Sequence, residues 1–129
     1  MSQEILLHHF AVECHDEKSA DVFYQTILGM QKKKSTLLSR ELSEAIFQID
    51  APVLFVHYEN KQMRVEVFIT ESLHSHGYAH LCLEVEAKDE FVARCMQHGA
   101  APFFAEKEGR QLLFVRDFSD NLYEIKYRS

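Results

Sequence analysis

HFAVECHDEKSADVFYQTILG, residues His9 to Gly29, and HLCLEVEAKDEFVARCMQHG, residues His80 to Gly99, decide the fold. Each stretch opens on a histidine and alternates polar with apolar residues. An acidic or polar segment follows: Asp16, Glu17 and Ser19 in the first, Lys88, Asp89 and Glu90 in the second. Alternation marks a half-buried strand, and carboxylates suit the positive end of a helix. Apolar residues then recur at helical spacing, Ala20, Phe23, Tyr24, Ile27 and Leu28 against Phe91, Val92, Cys95 and Met96, and Gly29 and Gly99 supply left-handed stops. Histidine and glycine are 20 positions apart in one stretch and 19 in the other, so the chain reads as an internal duplication.

Outward from these stretches the pattern is strand, helix, three strands, twice over. Strands are expected at Ile5 to Cys14, Val53 to Tyr58 and Met63 to Thr70, the last two joined by the polar turn Glu59 to Gln62. Ser39 to Ile49 reads two ways: Leu42 and Ile46 fit a short helix, while Ala45, Phe47 and Ile49 alternate like a strand. After a polar joint at Glu71 to Gly77, strands are expected at Tyr78 to Glu86, Pro102 to Ala105, Gln111 to Arg116 and Leu122 to Tyr127, with Gly109 in a charged turn. The expected fold is α+β, two βαβββ modules spanning about 4–70 and 77–128 of a single domain.

Composition narrows the class. At 129 residues, 47% apolar and 26% charged, with four glycines and two prolines, the chain fits one ordinary domain and no low-complexity class. A net charge of −6 argues against nucleic acid and anionic lipid as partners. Lys32, Lys33 and Lys34, the one basic run, read as a solvated edge. No apolar run approaches a membrane span and no leader pattern opens the sequence, so neither insertion nor export is expected. Cys14, Cys82 and Cys95 have no disulfide or zinc-ribbon spacing, which fits a reducing cytoplasm.

Strand parity then sorts the polar residues. His9, Ala11 and Glu13 share one face, and Phe10 and Val12 point the other way with His8 and Cys14. His80, Cys82 and Glu84 oppose Leu81, Leu83 and Val85. The apolar rows must meet the helices, so both histidines stand on the helix-free face. By the same parity Glu66, between Arg64 and Phe68, and Glu124, between Leu122 and Lys126, join them. Such bare faces can be covered only by each other or by another subunit. A histidine on the opening strand and a glutamate on the closing strand, in both halves, point to a metal site. Two imidazoles and two carboxylates suit Zn, Ni, Co, Mn or Fe. His8, His15, His57, His74, His76 and His98 lack this pairing and read as surface or core residues. Cys82 reads as a small buried filler rather than a reactive thiol.

These residues resemble the vicinal oxygen chelate superfamily, the glyoxalase, bleomycin-resistance and dioxygenase group. The likeness rests on His9, Asp16, Phe23, Tyr24, Leu28 and Gly29, on His80 to Gly99, and on the closing RDFSDNLYEI at Arg116 to Ile125. It implies an open, barrel-like sheet around a cleft, one divalent metal held by His9, Glu66, His80 and Glu124, and a homodimer. The implied activity is that of a glyoxalase-type lyase or isomerase. A carboxylate bound to the metal, Glu66 or Glu124, would remove a proton beside a metal-bound carbonyl of a small substrate, such as the thiol adduct of a 2-oxoaldehyde. Arg64, Phe68, Cys82 and Leu122 would line the substrate pocket, with Arg64 facing an anionic group. A methylmalonyl-CoA epimerase-like isomerase, a thiol transferase opening an epoxide antibiotic, and a metal-free drug-binding protein are the alternatives. Ring-cleaving dioxygenases need three open metal positions, and a fourth ligand, Glu66, argues against them. In the closing turn Phe118, Ser119 and Asp120 stand where the family usually carries a proline and a glycine.

Overall fold

The computed structural model describes residues 6–71 and 77–128. In the first module β1 (Phe10–Cys14) leads into α1 (Glu17–Ala20), which continues as a π-helical stretch, Asp21–Ile27. There follow β2 (Gln31–Leu38), α2 (Arg40–Phe47), β3 (Val53–Glu59) and β4 (Arg64–Ile69). The second module is β5 (Leu81–Val85), α3 (Lys88–Gln97), β6 (Phe103–Lys107), β7 (Arg110–Arg116) and β8 (Leu122–Tyr127). Each module forms one four-stranded sheet, ordered β1-β4-β3-β2 and β5-β8-β7-β6, with the opening strand parallel to the closing one. The two βαβββ modules of the expected α+β fold are therefore present, the first with α2 inserted.

Both opening strands begin later than their alternation implies. β1 starts at Phe10 and not at Ile5, which lies outside the described residues, and β5 starts at Leu81 and not at Tyr78. Register explains both. Phe10 pairs with Val65 and Leu81 with Tyr123, each the second residue of its partner strand, so residues further upstream would face turns that offer no ladder.

The ambiguous segment is a helix. The Ser39 hydroxyl accepts from the Leu42 N–H at 3.2 Å, an N-cap that opens α2, and Gln48 closes it in the left-handed region at φ 60°. This helix corrects the expectation of an entirely bare sheet face. Phe47 meets Phe68 edge to face, 5.4 Å between ring centroids, so α2 covers the Phe68 end of the first sheet.

The first helix starts on Asp16, whose carboxylate accepts from the Ser19 N–H at 2.7 Å. Its wider π turns let Phe23, Tyr24 and Ile27 all be buried. One hydrophobic cluster spans both modules. Tyr24 stacks on Tyr58 of the first sheet, while its hydroxyl meets the Tyr123 hydroxyl of the second at 2.8 Å. Phe23 stacks on Tyr123, and Arg94 of α3 donates to the Ile27 carbonyl at 2.9 Å. Each buried aromatic contributes about 2–3 kcal/mol of apolar burial. The helix-side faces are thus fastened together.

One further expectation is corrected here. Lys32 is not a solvated edge residue: its ammonium pairs with Glu17 and with Asp21 at 3.2 Å, tying β2 to the first helix. The closing turn also holds without proline or glycine. The buried Asp117 carboxylate accepts from the Ser119 and Asn121 N–H groups, both at 2.9 Å, and Asp120 takes the left-handed conformation at φ 69°. No described helix is long and apolar enough to cross a membrane.

Candidate metal centre

His9 immediately precedes β1, and Ala11, two residues on, pairs in register with Glu66 of β4. This places the His9 imidazole and the Glu66 carboxylate on one face, 3.5 Å from Nε2 to Oε1. The second module repeats the geometry. His80 precedes β5, Cys82 pairs with Glu124 of β8, and His80 Nε2 stands 3.7 Å from Glu124 Oε1. Parity therefore located all four residues on the helix-free faces. Their side chains are partly open, the imidazoles 40% and 43% exposed and the carboxylates 28% and 18%.

The surroundings of the two pairs differ. His80 Nδ1 lies 2.9 Å from the Tyr78 carbonyl, which can only accept, so Nδ1 carries the proton and Nε2 offers a lone pair toward Glu124. A lone pair facing a carboxylate is a donor set that suits a cation, and a backbone partner on the other nitrogen is the usual outer contact of a metal-ligating histidine. Lys126 also approaches Glu124, 3.2 Å from Nζ to Oε2. Around Glu66, His9 is the partner within 4 Å among the described residues.

Within the chain the four side chains gather as two pairs. Among the described residues no three His, Cys, Asp or Glu groups lie close enough to hold one metal ion. A cavity of about 860 Å³ does join the two sheets beside α2, with Phe47, Phe68, Thr70, His80, Arg116 and Leu122 on its walls. Of the expected substrate residues, Phe68 and Leu122 line it. Arg64 instead faces Glu59 at 3.5 Å.

Three residues depart from their sequence reading. Cys82 is an exposed free thiol beside Glu124 and not a buried filler. Partial burial and then the Glu124 charge raise its pKa, which keeps it protonated. His57 pairs in register with Glu66 and stands 3.0 Å from Glu59 Oε1, on the candidate face. The parity of Phe55, His57 and Glu59 carried that signal. His8, placed with the apolar row by parity, lies outside β1 and turns to His9, 2.9 Å between the two Nδ1 atoms, and to Arg64 at 3.3 Å. His74 and His76 lie outside the described residues.

A family model of the Glyoxalase/Bleomycin resistance protein/Dioxygenase superfamily matches residues 8–114, and the chain belongs to that superfamily. No curated protein matches it. Among solved structures, the fosfomycin resistance protein FosX of Listeria monocytogenes is similar at a TM-score of 0.73 and 14% identity, covering 98% of this chain and 96% of that one. A variant of the Listeria protein complexed with Mn(II) and 1S,2S-dihydroxypropylphosphonic acid aligns at 0.74 and 15% identity, covering 98% and 95%. A glyoxalase family protein from Bacillus cereus aligns at 0.72 and 17% identity, covering 98% and 97%. These likenesses extend over both modules and establish the fold.

Proposed function

We propose that the protein is a metal-dependent enzyme of glyoxalase type, with His9, Glu66, His80 and Glu124 as ligands of one divalent ion. The observation that carries this reading is the repetition itself. The same His–Glu pair, at the same strand positions of two modules and on the same kind of face, holds a nitrogen and a carboxylate oxygen 3.5–3.7 Å apart in both halves. Because each chain keeps its pairs separate while its helix-side core is shared, a second copy is the simplest way to join the first-module pair to a second-module pair. The proposed unit is therefore a homodimer, with two such sites.

A divalent ion at that site would supply Lewis-acid polarisation of a substrate carbonyl, making the adjacent C–H acidic. Glu66 is the residue we assign as base. Its carboxylate would take the proton from the hydroxyl-bearing carbon and return it to the neighbouring carbonyl carbon, while the hydroxyl proton passes from the first oxygen to the second, which isomerises the substrate without net gain or loss of atoms. Glu124 is less suited, since the Lys126 ammonium already stands 3.2 Å from its carboxylate. His80 is held by Tyr78 as a fixed nitrogen donor. Phe68 and Leu122 provide apolar walls, and Arg116 is the cation on the same cavity for an anionic substrate group. Substrates of this chemistry are small 2-oxoaldehyde adducts of a thiol.

The FosX likeness supports a second reading, opening of a small epoxide bearing an anionic group. Its ligand in one structure, a diol phosphonate, combines adjacent oxygens with a phosphonate, and Arg64 and Arg116 lie near the candidate residues of this chain. Metal analysis of the purified protein beside His9→Ala and Glu124→Ala tests the site. Stoichiometric metal in the parent and loss in both variants supports it, and a metal-free parent that still binds apolar ligands overturns it. Methylglyoxal with several thiols, fosfomycin with and without thiol, and an acyl-CoA in deuterated water then separate the glyoxalase, epoxide-opening and epimerase reactions.

A further inference from the structure

Hydrogen-bond direction around His9 carries a consequence for metal loading that rests on the metal reading above. Arg64 can only donate, so the His8 Nε2 it meets at 3.3 Å must accept. A neutral imidazole that accepts at Nε2 carries its proton on Nδ1. His8 Nδ1 therefore donates to His9 Nδ1 across 2.9 Å. His9 must in turn hold its own proton on Nε2, where it points at Glu66 Oε1 3.5 Å away. Arg64, His8, His9 and Glu66 thus form one chain of donors running in a single direction. Nε2, the nitrogen nearest Glu66 and the one a shared ion would need, is occupied by a proton. For His9 Nε2 to become a ligand, the proton must move to Nδ1. His8 must then accept at Nδ1 and carry its proton on Nε2, where it confronts the Arg64 N–H.

We propose that Arg64 and His8 form a latch that sets the tautomer of His9 and opposes metal binding in the first module. Arg64 acts through His8, and His8 is a positioning residue for His9. Among the described residues the second module has no equivalent: Tyr78 supplies an acceptor where His8 supplies a donor, so His80 is already in the ligand tautomer. Both latch side chains are exposed, and their replacement leaves the core untouched.

Two measurements test the latch. In nitrogen-15 histidine spectra of the metal-free protein, His9 is expected to be protonated on Nε2, with the balance moving toward Nδ1 in Arg64→Gln. A parent His9 already protonated on Nδ1 overturns the proposal, whatever the protein binds. Ni(II) affinity, from competition with a chromophoric chelator, is then compared in the parent, Arg64→Gln, His8→Ala and the double variant. Arg64→Gln is expected to tighten Ni(II) binding about three- to tenfold in the parent and to change nothing in the His8→Ala background. Equal tightening in both backgrounds would mean that Arg64 acts by direct charge repulsion, which overturns the latch. If the parent and His9→Ala bind Ni(II) alike, the metal reading fails instead, and the spectrum alone decides the tautomer.

Discussion

The two modules carry the same residue pair in opposite states of readiness. In the second, a backbone carbonyl fixes the proton of His80 on Nδ1, and Lys126 holds Glu124. In the first, His8 and Arg64 are proposed to direct the proton of His9 toward Glu66, which has no such ammonium beside it among the described residues. Duplicated backbones therefore place equivalent atoms without giving them equivalent chemistry. On the proposed reading the second pair is the readier holder of the cation, and the first supplies the base.

The largest test of that division is at the carboxylates. Glu66→Gln, which keeps an oxygen ligand but no base, is expected to lower turnover roughly 10²–10⁴-fold while bound metal is retained. Glu124→Gln is expected to act chiefly on metal affinity, with turnover recovering as metal is added. Steady-state kinetics against metal concentration reads both, and the reverse assignment would erase the distinction.

The hairpin turns give a second contrast. Asp117, buried between the modules, accepts from Tyr24 at 2.8 Å and from Asn121 Nδ2 at 2.9 Å as well as from two backbone N–H groups. Asp117→Ala strands those donors and is expected to cost about 3 kcal/mol in denaturant unfolding. Asn60, in the matching turn of the first module, accepts from the Gln62 and Met63 N–H groups in solvent. Asn60→Ala is expected to cost about 1 kcal/mol or less. Equal losses would mean that the joint between the modules is no stronger than an ordinary turn.

The smallest effect is alkaline. Burial pushes up the Tyr24, Tyr58 and Tyr123 hydroxyls and the Cys14 thiol, and it raises Cys95 to about 11. The folded state keeps protons that the unfolded chain releases, so this contribution is complete below the ordinary thiol and phenol values of 9.0 and 10.0 and is lost progressively as pH rises above them toward the raised folded values. The denaturation midpoint is expected to fall between about pH 8 and about pH 10.5. A midpoint unchanged over that interval would count against the buried tyrosine joint.

Much of this was legible in the residues. Alternation and helical spacing located both repeats, and parity put His9, Glu66, His80 and Glu124 on one kind of face, because a strand leaves a side chain only two directions. What escaped was set by tertiary contact. The ends of β1 and β5 depend on where their partners begin. Helix α2 depends on its Ser39 cap and on Phe68 beneath Phe47. His8 escaped because it stands two residues before β1, where its side chain turns to His9 and Arg64 instead of following the alternation that still holds for the adjoining His9. His57 was readable from the same alternation that found Glu66, but its lack of a counterpart in the second repeat removed it from the comparison.

A crystal grown with Mn(II) and recorded near the metal absorption edge puts the shared site to the most direct test. The expected anomalous peak lies between His9 and Glu66 of one chain and His80 and Glu124 of the partner subunit, within bonding reach of all four. A peak on one His–Glu pair alone, or none at saturating Mn(II), would contradict the proposal that the mirrored halves share a single ion.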